Sequence, residues 1–120
     1  MFYAERENGA FFNNQRIRVS NKNNIDDCLF ALGGKLKIEP NFPNRKSGCA
    51  ALDLAYVASG RYDGYFQKNL NLWDIAAGIV LIKEAGGVVN DINLNTVENI
   101  NIIASNPNIS SKFQEKLSNF

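Results

Sequence analysis

The sequence predicts an α/β fold in which helices and strands build α+β layers, and three observations carry that prediction. Short apolar runs with period-two alternation recur between longer runs of helical period, the signature of layers that share one core. One segment, Leu72 to Ala85, is apolar over most of its circumference (Trp73, Ile75, Ala76, Ala77, Ile79, Val80, Leu81, Ile82 and Ala85), which marks a helix buried between layers. Glycine pairs, Gly33-Gly34 and Gly86-Gly87, close two of the elements.

Taken in order, Ala10 to Val19 reads as a β-hairpin. Ala10-Phe11-Phe12 and Ile17-Arg18-Val19 flank Asn13-Asn14-Gln15, and Asn tolerates the left-handed backbone of tight turns. Asn21 to Asp27 is polar and turn-rich, Cys28 to Leu32 is a short strand, and Lys35 to Lys46, with Pro40 and Pro43, is a loop. Ser47 to Ser59 is a helix with Ala51, Leu54, Ala55 and Ala58 on one face, stopped by Gly60. Tyr62 to Phe66 is a strand, followed by the helix Leu72 to Ala85. Val88-Val89 and Ile100 to Ala104 are strands. Asn106-Pro107 starts a last amphipathic helix with Ile109, Phe113 and Leu117 inward.

The chain has 120 residues, enough for one domain that buries roughly 65% of its unfolded surface. An apolar fraction of 45% and a net charge of +1 describe a folded chain without the basic stripe of a nucleic-acid groove. No nucleic-acid partner is expected. The longest apolar run falls far short of the ~20 residues that span a bilayer, and charges stand where a signal peptide needs apolar residues, so no membrane association and a cytoplasmic location are expected. Two cysteines without CxxC spacing fit a reducing compartment, and the absence of histidine excludes Ser-His and Cys-His hydrolysis and His-ligated zinc within this chain.

Acid-base or metal chemistry must therefore rest on carboxylates, hydroxyls, amines or backbone. Asp74 lies three residues after Asn71, a candidate N-cap, so its carboxylate can complete a capping box. The same position, at the mouth of a buried helix, suits a ligand for a hard cation, although one carboxylate is never a whole Mg²⁺ site. Ser47-Gly48-Cys49-Ala50-Ala51 puts small residues at a helix start, where free N–H groups can seat an anion or where the helix simply packs tightly. Cys49 has no neighbouring base and is not read as a nucleophile. Asp53, placed opposite most of the apolar helix face, and Asp63, at a strand entrance, read as structural or solvated. Gln67 follows a strand and carries no signal of its own.

Together these residues resemble a family. The run from Gly48 to Phe66, then Trp73-Asp74-Ile75-Ala76-Ala77-Gly78 and Glu84-Ala85-Gly86-Gly87, closely resembles the C-terminal signature of inositol monophosphatases. Phe2 to Phe11 and Arg16 to Ser20 look like the hairpin before it, and Ala104-Ser105-Asn106-Pro107 resembles the last strand and helix. The resemblance implies the C-terminal part of the αβαβα sugar-phosphatase fold and Mg²⁺-dependent hydrolysis of a small phosphate monoester, inositol 1-phosphate in the first instance. It implies Asp74 as a metal ligand, Gly48, Cys49 and Ala50 as the substrate seat, and Gln67 at the place of a glutamate that contacts substrate hydroxyls. Gln67 keeps hydrogen-bonding capacity and loses that charge. The segment from Lys35 to Lys46 is shorter than the family's. The family's first signature, Asp-Pro-x-Asp-Gly-Thr, does not occur in the sequence. The chain is thus expected to be half of a domain, inactive alone, completed by a separate N-terminal half or self-associating through exposed apolar surface. Alternatives are a non-catalytic remnant or interaction module, and a related phosphatase of nucleotide or fructose bisphosphates.

Overall fold

In the computed structural model, which describes residues 1–36, 40–93 and 95–118, two sheets and three helices form alternating layers. The first layer is an antiparallel meander of β1 (Phe2–Glu5), β2 (Gly9–Phe12) and β3 (Gln15–Ile17). Its second turn is the two-residue Asn13-Asn14 loop, with φ of +49° and +68°. Those are the left-handed conformations that a tight hairpin demands and that Asn adopts at low cost. Gln15 belongs to the strand rather than to the turn, because it pairs with Phe12.

The second sheet has the order β5-β4-β6-β8-β7, formed by β4 (Phe30–Leu32), β5 (Asn44–Arg45), β6 (Gly64–Leu70), β7 (Val88–Val89) and β8 (Ile100–Ser105). β4 lies parallel to β5 and β6, whereas β8 runs antiparallel to both its neighbours. Side chains alternate across this sheet. Ala31, Tyr65, Ile102 and Ala104 face α1 (Ala50–Ala58) and α2 (Leu72–Glu84), while Phe30, Leu32 and Phe66 face α3 (Ser110–Lys116). The Phe30 and Phe113 rings stack at 4.2 Å under α3. The helices α1 and α2 therefore sit between the two sheets, and α2 touches strands of both.

Several boundaries differ from the sequence expectation, each for a local reason. The strand expected at Cys28 begins only at Phe30, because Cys28 N–H closes a 3-10 turn on Ile25 and Leu29 N–H donates to the Asp63 carboxylate. Within the expected loop Lys35 to Lys46, Asn44–Arg45 forms an edge strand on β4, while residues 37–39 lie outside the described residues. The helix expected from Ser47 starts at Ala50, since Gly48 has φ of +79° and Cys49 is extended. Ala51, expected inside, is exposed. β6 runs on to Leu70 with an irregularity after Gln67, so Gln67 stands within the strand rather than after it.

The largest correction concerns α2. Ile75, Gly78, Leu81 and Ile82 are buried, yet Trp73 is 71% exposed and Val80 39% exposed, and Ala76 and Ala77 also face outward. The two sheets and α1 cover three sides of this apolar helix and leave one bare. No helix among the described residues is long and apolar enough to cross a membrane.

One buried polar cluster, joined through Ser20 Oγ, fastens these layers. Asp63, 2% exposed, accepts hydrogen bonds from Ser20 Oγ (2.6 Å) and Leu29 N–H (2.8 Å) and pairs with Lys22 Nζ (3.3 Å). Asn106, fully buried, donates through Nδ2 to Ser20 Oγ and accepts from Ile109 N–H at 3.1 Å. Cys28 lies beside this cluster; burial first, then the Asp63 charge, pushes its thiol up to about 11, so it stays an inert thiol.

The crossing of α1 and α2 is a tight contact that bears on the site. A Cβ at Gly78 would meet Leu54 Cδ1 at 2.5 Å and Leu54 Cβ at 2.7 Å. Gly78→Val should therefore lower stability by about 1–3 kcal/mol through overpacking. Urea unfolding followed by circular dichroism checks this, and an unchanged midpoint would mean the two helices do not press together there.

Candidate active site

Two helix N-termini and one strand converge to make the site. α1 begins just after the Ser47-Gly48-Cys49 loop, α2 begins at Leu72, and β6 delivers Tyr65 and Gln67 between them. Gly48, Cys49, Ala50, Gln67 and Asp74 line one open depression of about 420 Å³, together with Ala51, Leu70 and Trp73. The five residues singled out from the sequence are thus neighbours in space, although 26 positions separate the first from the last.

The loop before α1 is held from beneath by Asp53. Ser47 Oγ donates to Asp53 Oδ1 at 2.7 Å and accepts from Cys49 N–H at 3.0 Å, while Asp53 N–H donates to Cys49 O at 3.0 Å. Asp53 is only 1% exposed. Of the two readings of Asp53, structural or solvated, the structure bears out the structural one, because the 47–49 loop folds back over that side of α1. Gly48 takes a left-handed φ of +79°, and a Cβ there would find nothing within 4 Å. Backbone conformation, rather than crowding, calls for glycine, and the bare backbone leaves room for close approach to the first N–H groups of α1. Those groups lack intrahelical partners and sit at the positive end of the helix dipole.

Gln67 is oriented by a residue that carried no sequence signal. Tyr65 is fully buried, and its hydroxyl donates to Gln67 Oε1. Burial raises the Tyr65 pKa, and the nearby Asp53, Cys49 and Asp74 add to the rise, so the phenol stays neutral. A buried hydroxyl proton needs an acceptor. That need turns the Gln67 carbonyl oxygen toward Tyr65 and leaves its amide N–H groups as the donors for a ligand. Gln67 also lies flat on Gly33: a Cβ at Gly33 would meet Oε1 at 2.0 Å. The Gly33-Gly34 pair does close β4, as the sequence suggests, and Gly33 in addition makes room for this side chain.

Asp74 stands at the third position of α2, in a capping box with Asn71. Its Oδ2 accepts from Asn71 N–H at 3.4 Å, a long bond. Among the described residues this is the hydrogen bond the carboxylate makes, so most of its lone pairs stay available to a cation. Among the described residues, no three His, Cys, Asp or Glu side chains gather closely enough to hold a metal. The donor fits Mg²⁺ in kind, an exposed hard carboxylate oxygen, while the number of donors falls short of an octahedral site.

The anchor under the loop makes stability depend on pH. Burial raises the Asp53 pKa above its ordinary value, with the Ser47 hydrogen bond opposing the rise. The folded state therefore holds this proton more tightly than the unfolded state. Stability from Asp53 falls as pH climbs from the ordinary carboxylate range through the raised folded value. Asp53→Asn keeps an acceptor for Ser47 and removes the titration. The variant should gain on the wild type as pH rises from 4 toward 7, read as the difference in urea midpoints; parallel pH profiles would contradict the buried carboxylate.

Comparison with known proteins agrees with this architecture. The model of the inositol monophosphatase family matches residues 1–119. The Nus factor SuhB of Salmonella typhimurium is 41% identical over 91% of this chain and 47% of its own length. A fructose-1,6-bisphosphatase/inositol-1-monophosphatase of Thermotoga maritima is 41% identical over 76% of this chain and 39% of its own. The crystal structure of the extragenic suppressor protein suhB from Bartonella henselae superposes with a TM-score of 0.83 at 42% identity, covering 98% of this chain and 53% of that one. The chain spans about half the length of the curated relatives it matches. With this match over nearly all of its residues, the chain belongs to the inositol monophosphatase family.

Proposed function

We propose that this chain is the C-terminal half of a Mg²⁺-dependent phosphatase domain that hydrolyses a small polyol phosphate monoester of the inositol 1-phosphate type. The observation that carries the proposal is the meeting of Gly48, Cys49, Ala50, Gln67 and Asp74 in one depression at the mouths of two helices. In this scheme the first N–H groups of α1, opened by Gly48, hold a substrate oxygen, and the Ser47–Asp53 bond keeps them in register. Gln67, oriented by Tyr65, hydrogen-bonds a substrate oxygen and sets its position relative to Asp74. Asp74 holds one Mg²⁺, with further oxygens contributed by the rest of the family domain. Bound there, Mg²⁺ would activate water and stabilise the leaving oxygen. The free thiols of Cys28 and Cys49 support action in a reducing, cytoplasmic setting.

A second activity class has support in the Thermotoga maritima relative, which is named for fructose-1,6-bisphosphate as well as inositol 1-phosphate. A non-catalytic role draws on the Salmonella relative, which is named a Nus factor.

A chimera separates these readings. This chain replaces the matched half of the Bartonella henselae relative, and phosphate release is measured with Mg²⁺ and either substrate. Turnover of inositol 1-phosphate is expected, along with a loss of about 100-fold or more in Asp74→Asn. The isolated chain should release no phosphate. A folded chimera without turnover of either ester would favour the non-catalytic role, and turnover untouched by Asp74→Asn would reject the assigned ligand.

A further inference from the structure

Asn8-Gly9 is the one Asn-Gly pair in the sequence, and it sits where the first hairpin is tied to α2. The pair closes the turn between β1 and β2, with Asn8 exposed and Gly9 buried. Gly9 N–H donates to Glu84 Oε1 at 2.8 Å, which fastens the turn to the last residue of α2. The backbone N–H groups of Glu7 and then Gly9 lower the Glu84 pKa; desolvation opposes the fall, and Arg16 and Arg6 add to it. The acceptor is therefore a carboxylate. A Cβ at Gly9 would lie 3.2 Å from the Arg16 guanidinium, so that side chain covers the tie. Asn8 is steadied by Glu5, to which its N–H donates at 2.9 Å (main-chain O) and its Nδ2 at 3.1 Å (Oε2).

An asparagine followed by glycine carries its own reaction. The glycine nitrogen, with no side chain to hinder it, can attack the asparagine side-chain carbonyl and close a cyclic imide. To do so it must give up any acceptor that its N–H already holds. Here that acceptor is charged, which makes the stronger class of hydrogen bond.

We propose that Asn8 is a site of spontaneous covalent modification, converted to aspartate and isoaspartate, and that Glu84 keeps the conversion slow by holding the Gly9 N–H. The inference is independent of the phosphatase reading. In the first step Gly9 N bonds to Asn8 Cγ, the Cγ–Nδ2 bond breaks, and ammonia leaves with the Gly9 proton. Solvent water then opens the imide, and no oxidant or reductant is needed. Opening at Cγ gives aspartate; opening at the former main-chain carbonyl gives isoaspartate, with one more carbon in the main chain. Either product replaces the Nδ2 donor with a carboxylate facing Glu5. The lengthened isoaspartyl backbone also moves Gly9 N–H off Glu84, which unties the hairpin from α2.

Asp63-Gly64, the one Asp-Gly pair, can form the same imide by losing water. Its carboxylate is 2% exposed and engaged by Ser20, Leu29 N–H and Lys22, and Gly64 is paired within β6. It serves as an internal reference, since only a general loosening of the fold frees it.

The test incubates the purified chain at neutral pH and follows both sites over time by peptide mass spectrometry, with electron-transfer fragmentation to tell isoaspartate from aspartate. Circular dichroism establishes that each variant is folded. Glu84→Ala should speed conversion at Asn8 by about tenfold or more and leave Asp63 unchanged. Glu84→Gln, which keeps the shape and a neutral acceptor, should fall in between and remains usable where Glu84→Ala does not fold. In urea, where the tie is absent, wild type and variants should convert at one common rate. Equal rates in the folded wild type and the variants would overturn the proposal. Slower conversion without the carboxylate would also overturn it, since Glu84 would then act as a base rather than a restraint. Equal acceleration at Asn8 and Asp63 would show general loosening and reject Glu84 as the restraint.

Discussion

Helix α2 has more apolar surface than this chain can cover, and the rest of the structure depends on that imbalance. Two sheets and α1 close around Ile75, Gly78, Leu81 and Ile82. This grip holds the helix rigidly enough for its N-terminus to present Asp74 at a defined place. The ungripped side leaves the same carboxylate beside an unfinished surface. The metal ligand proposed here must be both fixed and accessible, and the buried face supplies the first property and the capping position the second.

The remainder of the site is kept in place by polar groups under it. Asp53 reaches Ser47 from inside the fold and thereby sets the backbone of the loop that opens α1. Tyr65 sets Gln67 from the sheet below. Farther away, Asp63 and Asn106 lock segment 20–29 onto β6 and α3, which fixes the end of the strand that carries Tyr65 and Gln67. Each of these buried groups is satisfied, so each specifies one geometry rather than several. Atoms that line the depression thus inherit their order from hydrogen bonds beneath it.

Most helices and strands were legible in the sequence, and the reason is periodicity. Ile109, Phe113 and Leu117 repeat as an inward face and prove buried; Asn13-Asn14 sits where a tight turn needs left-handed residues. The capping box of Asn71 and Asp74 was legible for the same kind of reason, since its spacing is local. What periodicity missed are side-chain contacts made by a loop outside a regular element or past the expected end of one. Asp53 read as structural or solvated because its covering loop lies outside the helix, and Tyr65 looked like an ordinary strand residue because the strand was expected to stop before Gln67 rather than continue to Leu70. The all-round apolar pattern of α2 implied layers on every side, and the structure has layers on three.

The most direct test of the account is a calorimetric titration of the isolated chain with Mg²⁺. One carboxylate without companion oxygens should bind no tighter than about 1 mM. Binding substantially tighter than this, persisting in Asp74→Asn, would contradict the claim that the chain holds a single ligand of a shared metal site.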